Sequence, residues 1–218
     1  MTEAEWLAAR STDKLFRHLT GIGHARLVRR TASLFSVACV RATNVNGNKR
    51  SLWNAVRAVE RAAETGDWYE VDALFVSSGI PRGKSTRSAE YYWGLAANWL
   101  TGSHSLWSLN DVPRFLLSAV SKSTTRSTRG LHRTFADLLR DVIGNSFRPV
   151  TFDPGWRTDT VVALARQMYE SREFEAMPIL ADALQDAGCD SDDILNHCRG
   201  PGPHVRGCWV VDLVLGKV

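Results

Sequence analysis

The sequence predicts an all-α protein, either an irregular helical bundle or a repeat-like array of antiparallel helices. Three observations predict it. Apolar residues recur at i, i+3, i+4 and i+7 through most of the chain. Capping residues and stop glycines punctuate those runs. Short β-branched stretches number one or two at most, whereas a parallel sheet needs several, alternating with helices. At 218 residues, 44% apolar and 23% charged, the chain can bury a core and is too apolar for disorder.

The elements follow in order. Thr2 and Glu5 match the Ser/Thr-x-x-Glu capping box and open a short helix. From His24 to about Thr43, Leu27, Thr31, Leu34, Ala38 and Arg41 form one helical stripe. Asn44 to Asn48 (NVNGN) reads as a turn. Helix resumes near Leu52, with Trp53, Val56 and Val59 inward, and stops near Gly66. Tyr91 to Leu100 is an apolar helix carrying Trp93 and Trp99. Asn110 caps the next, where Val112, Phe115, Leu116 and Ala119 repeat the helical spacing.

The last third is the most legible. Asp153-Pro154 and Thr158-Asp159 announce a helix in which Val161, Leu164, Ala165 and Met168 face inward. Pro178 suits the first turn of its partner, which Ile179, Leu180, Ala183 and Leu184 fill and Gly188 ends. Together they predict an antiparallel hairpin over residues 159–187. Asp190, Asp192 and Asp193 precede a short helix whose dipole they complement. Gly200 to Pro203 (GPGP) breaks the chain before a final apolar run, Val205 to Leu215, read as helix.

The polar, basic stretch Ser121 to Arg129 is the candidate boundary between a basic region, residues 1–130, and an acidic module, residues 131–218, unless the two are continuous. Residues 1–150 hold 21 Lys and Arg against 12 Asp and Glu, and residues 151–218 hold 6 against 11. Lys122, Arg126, Arg129 and Arg133 form a candidate basic patch that would suit an acidic partner or nucleic acid. No apolar window is long enough for a membrane span and no leader pattern opens the chain, so the expectation is a cytoplasmic protein with no membrane partner. Reduced thiols are then expected at Cys39, Cys189, Cys198 and Cys208.

Two motifs could carry chemistry. Gly79-Ile-Pro-Arg-Gly83-Lys84-Ser85-Thr86, after the strand-like Ala73 to Val76, imitates a phosphate loop in which Gly83, Lys84 and Ser85 would meet a nucleotide. Its glycine spacing is one residue short and no surrounding sheet is foreseen. The second is Cys189-x8-Cys198-x5-His204-x3-Cys208, four soft ligands that could close a zinc shell, with His197 as a competing ligand. The competing reading packs the thiols into the core. Paired carboxylates Asp182/Asp186 and Glu60/Glu64 mark wet helix faces, and no nucleophile–base arrangement is spelled out.

The opening MTEAEWLAA, the stretch Leu138 to Trp156 (LLRDVIGNSFRPVTFDPGW) and the ending Met177 to Lys217 (MPILADALQDAGCDSDDILNHCRGPGPHVRGCWVVDLVLGK) resemble one heavily duplicated group of bacterial proteins of unassigned function. The resemblance is close at the N-terminus and over residues 138–217, and loose between. Where that group has a cysteine-rich helix, Ala32 to Arg41 keeps only Cys39. Some of its members are associated with domains of the cell-wall-regulator/toxin-immunity superfamily. The resemblance therefore implies an adaptor or immunity-like role, and brings no catalytic residue with it. The combined expectation is a non-enzymatic protein-interaction protein. A zinc-stabilised nucleic-acid binder is the alternative, and a nucleotide-binding protein the weaker one.

Overall fold

A computed structural model describes residues 1–24, 28–44, 50–77, 88–102, 111–123 and 127–217. Among them it holds twelve α-helices and no strand. The chain is all-α. It divides into two compact units, Met1–Leu139 and Arg140–Val218. The division lies inside one helix, Arg129–Ile143, rather than in the polar stretch before it.

In the first unit, α1 (Glu3–Ala8) begins with the expected capping box: Thr2 accepts from the Glu5 N–H, and Glu5 accepts from the Thr2 N–H. The second helix, α2 (Thr12–Ile22), has no counterpart in the sequence reading. Its short stripe of Leu15, Phe16 and Leu19 lies close to Gly21 and Gly23, and Gly23 ends it in the left-handed region at φ +59°. The helix expected from His24 starts instead at Arg29, as α3 (Arg29–Ala42), after Val28 in extended conformation.

α3 is the centre of the first unit. Every residue from Thr31 to Val40 is buried, so the helix is enclosed on all sides and not along a single stripe. Around it lie α4 (Arg50–Thr65), α5 (Tyr69–Ser77), α6 (Ala89–Gly102) and α7 (Asp111–Ser123); α6 packs on α4, α5 and α7, and α3 on α4 and α7. α8 (Arg129–Ile143) follows.

Three expectations need correction here. Ala73 to Val76 belongs to helix α5 and not to a strand. Trp53 is only half-buried, beneath the Arg41 guanidinium 5.7 Å from its ring. Glu60 is not on a wet face: it is 7% exposed and takes two hydrogen bonds from Arg41 at 2.9 and 3.2 Å on one carboxylate oxygen. Arg41, at the end of the predicted stripe, is exposed and turns toward that carboxylate. A carboxylate can be enclosed when a guanidinium reaches it from the neighbouring helix.

The second unit packs α9 (Asp159–Ser171), α10 (Met177–Asp186), α11 (Asp192–Arg199) and α12 (Trp209–Leu215) around one core. Thr158 caps α9 by accepting from the Val161 N–H, and Pro178 sits in the first turn of α10. Val161, Ala165 and Met168 meet Leu180, Leu184, Ile194, Cys198 and Val211 in the interior. Ile179 does not join them; it is 58% exposed. The terminal run becomes helical only at Trp209. The residues before it form a loop with a cis Gly202–Pro203 bond and glycines at positive φ, Gly202 (+72°) and Gly207 (+94°).

Candidate functional site

Four donor-bearing side chains of the second unit converge: Asp141, His197, His204 and Cys208, with one ligand atom from each lying within 4.8 Å of all the others. Asp141 stands in the last turn of α8, beside the buried Val142 and Ile143. His197 stands in the last turn of α11 and Cys208 immediately precedes α12. His204 lies in the loop between those two helices. The loop can bring it there because residue 202 is glycine. A Cβ at that position would meet the His204 backbone nitrogen at 3.1 Å and its ring at 3.4 Å.

The carboxylate organises the group. Asp141 Oδ1 is 2.8 Å from His204 Nδ1 and 3.2 Å from His197 Nε2. Its Oδ2 accepts from the backbone N–H of Val205 at 3.0 Å. The same His197 Nε2 also lies 3.3 Å from Cys208 Sγ. The His197 ring packs edge-on against His204 and leans on Trp209, with centroids 4.9 and 5.0 Å away. Gly144 keeps space for that indole, since a Cβ there would meet the Trp209 ring at 3.3 Å.

The site is enclosed. Side-chain exposure is 2% at Asp141, 8% at His204 and 19% at His197, and Cys208 is wholly buried. Burial works to raise the Asp141 carboxyl, but hydrogen bonds from His197 and His204, and their charge, outweigh it and hold its pKa below the ordinary value. Burial, and then the nearby Asp141 carboxylate, pushes the Cys208 thiol well above its usual range. Backbone N–H groups of Val211 and Val210 act the other way on the sulfur.

This is not the geometry of a cysteine nucleophile with a relay base. A relay uses the two imidazole nitrogens for different partners, one for the nucleophile and one for the orienting carboxylate. Here one nitrogen faces both. A single atom directed at two other donors is the arrangement of ligands gathered about a common point.

The sequence candidates divide. His204 and Cys208 belong to the converging group. Cys189 and Cys198 are packed in the apolar core, with burial raising both thiols, Cys198 to about 12. His197, read as a competing ligand, is in the group. Asp141 was not read from the sequence at all, although a carboxylate amid Leu138, Leu139, Val142 and Ile143 is a signal of an enclosed acidic group. Of the basic patch, Lys122 is exposed and lies 5.8 Å over the Tyr92 ring. Arg129 is exposed, and Arg133 pairs loosely with Asp137 at 3.8 Å. Arg126 and the phosphate-loop candidates Gly83, Lys84 and Ser85 lie outside the described residues.

No helix among the described residues is long and apolar enough to cross a membrane. Comparison of the chain with protein-family models, with curated proteins and with solved structures gives no match.

Proposed function

We propose that this protein acts by binding another protein, with the α9–α10 hairpin of the second unit as the contact face. The observation that carries this reading is where the chemistry-bearing side chains lie. Among the described residues, the group of histidine, cysteine and carboxylate donors that converges is enclosed within a helical unit, where it serves the fold and is closed to a substrate. Function then rests with the surface.

On that surface α10 presents Ile179, 58% exposed, one turn before Asp182, whose side chain is 71% exposed and pairs with Arg199 at 2.9 Å. Asp186 follows one turn later and is also exposed. An exposed apolar side chain beside an Asp182–Arg199 pair and the Asp186 carboxylate suits a partner with a small apolar recess bordered by groups of both charges. The adaptor or immunity-like role implied by the sequence resemblance agrees with this reading.

The test is quantitative affinity capture from a lysate of the source organism, using wild-type protein and the double variant Ile179→Asp, Asp182→Arg. A protein enriched by wild type and lost with the variant supports the reading. Equal enrichment by both moves the contact face off α10. Tight binding to labelled RNA or DNA that weakens steeply with salt, as phosphate contacts require, replaces it with nucleic-acid binding.

A further inference from the structure

We propose that Asp141, His197, His204 and Cys208 hold one Zn²⁺ ion in a closed, four-coordinate structural site. The inference is independent of the contact face on α10.

Spacing is the first support. With metal–ligand distances of about 2.0–2.3 Å, the donors of a tetrahedral zinc site stand about 3.3–3.8 Å apart. The closest contacts within the cluster, 2.8, 3.2 and 3.3 Å, have to open by at most a few tenths of an ångström, and its widest pair, within 4.8 Å, has to close by about 1 Å to form such a shell.

Charge is the second. The Asp141 side chain is 2% exposed, and its ion partners among the described residues are two imidazoles, with no Lys or Arg between them. A buried carboxylate needs a compensating charge. A divalent cation supplies it, and binds cysteine as the thiolate. The backbone N–H groups of Val210 and Val211 face the Cys208 sulfur, in the manner of the outer hydrogen bonds that hold metal thiolates.

Ring orientation is the third. The buried His204 turns Nδ1 to Asp141 at 2.8 Å, and His197 turns Nε2 to both Asp141 and Cys208, so each imidazole offers one nitrogen to the cluster. The outer contacts are built too: Val205 N–H holds Asp141 Oδ2, which leaves Oδ1 to the ion.

The donor chemistry selects the metal. Two imidazole nitrogens and a thiolate disfavour Mg²⁺ and Ca²⁺, which take oxygen shells. Two histidines with one carboxylate also suit non-haem Fe²⁺, but that use needs open positions, and Cys208 fills the remaining corner. Closure by four protein ligands is the mark of a structural zinc site. In this site the ion would tie the loop carrying His204 to α8, α11 and α12 together.

The experiment uses the untagged full-length protein. Elemental mass spectrometry should find about one zinc per chain. Cys189→Ala and Cys198→Ala should retain it, because those thiols lie outside the group, while Cys208→Ser and His204→Gln should lose it. Removing the metal with a strong chelator should lower Tm by roughly 10 °C or more, reversed by added zinc. In case the ligand variants fail to fold, wild-type protein loaded with Co²⁺ provides the second reading. A thiolate-to-cobalt charge-transfer band with the intense visible bands of four-coordinate cobalt supports the site. Metal-free protein that takes up neither ion overturns the proposal. So does a cobalt spectrum without the thiolate band, or zinc lost equally from Cys198→Ala and Cys208→Ser.

Discussion

His197 Nε2 lies 3.3 Å from Cys208 Sγ, and the two residues lean toward each other from opposite ends of a glycine- and proline-rich loop. One end is the last turn of α11, the other the residue before α12. The chain between them carries His204 back to Asp141, 63 positions earlier. Three short segments are thereby joined around a single buried carboxylate, and the stability of this corner of the second unit depends on that junction.

Gly202 and Gly188 both hold positive φ, +72° and +88°, but only Gly202 faces a neighbour at the position of a Cβ. Gly188→Ala is expected to cost about 1 kcal/mol, for the left-handed conformation alone. Gly202→Ala adds a clash with the His204 backbone, and is expected to cost about 2–3 kcal/mol. Urea unfolding midpoints at unchanged m-value measure the difference. Equal costs would show that the loop relaxes freely around residue 202.

Arg206 closes another helix. Its guanidinium donates to the carbonyls of Tyr169 at 2.6 Å and Glu170 at 3.2 Å, in the last turn of α9, and lies 5.0 Å over the Tyr169 ring. The last carbonyls of a helix are those that its own N–H groups leave over, so a side chain from elsewhere in the chain can take them. Arg206→Ala is expected to cost about 1.5–3 kcal/mol, the range for hydrogen bonds to a charged group. Arg206→Lys should recover only part of it, because an ammonium cannot fork between two carbonyls while stacking on a ring. Thermal unfolding of the three proteins decides the order.

Two ion pairs in the first unit should differ in worth. Arg41–Glu60 places a carboxylate with 9% of its side chain exposed against a guanidinium, whereas Arg61–Glu70 is 56% exposed on both sides. Glu60→Ala is expected to cost about 2 kcal/mol, since it removes charged hydrogen bonds at a desolvated site. Glu70→Ala should cost less than about 1 kcal/mol. Salt should narrow the second effect and leave most of the first. A Glu70→Ala cost as large as that of Glu60→Ala would contradict the ranking by exposure.

Cys39 is wholly buried in α3, and burial pushes its thiol well above the usual range. Only the thiolate is alkylated, so both access and ionisation protect it. The sign is simple: a raised thiol pKa lowers the thiolate fraction at any working pH. Native protein at mildly alkaline pH should leave Cys39 unmodified by iodoacetamide, and unfolding in guanidinium should expose it fully. Peptide mass spectrometry after timed labelling checks this. Rapid labelling of the native protein would mean that α3 opens locally.

Much of the helical framework is legible in the residues one stretch at a time. The Thr2–Glu5 box, the Thr158 cap, Pro178 at the head of α10 and the stripe Val161, Ala165, Met168 all appear where local chemistry puts them. Such features are satisfied by neighbours within a few positions, so the sequence alone determines them. α2 escaped because its apolar stripe is brief and sits against two glycines. Ile179 and Glu60 escaped because the choice between inside and outside is made by the neighbouring helix, and periodicity narrows it to an arc without deciding it.

The buried group was half legible, and the reason is one of distance along the chain. In α11, Ile194 and Cys198 lie four apart on the face turned to the core, and His197 is rotated about 100° from Cys198 toward Asp141 and Cys208. That offset was readable, and it separates the core thiol from the polar group. Asp141 is different. Nothing near it in sequence announces His204. The composition alone determined that the second unit would have soft donors and turns to bring them together; only tertiary packing, which pairs residues by position in space, decided that a carboxylate from α8 would stand at their centre.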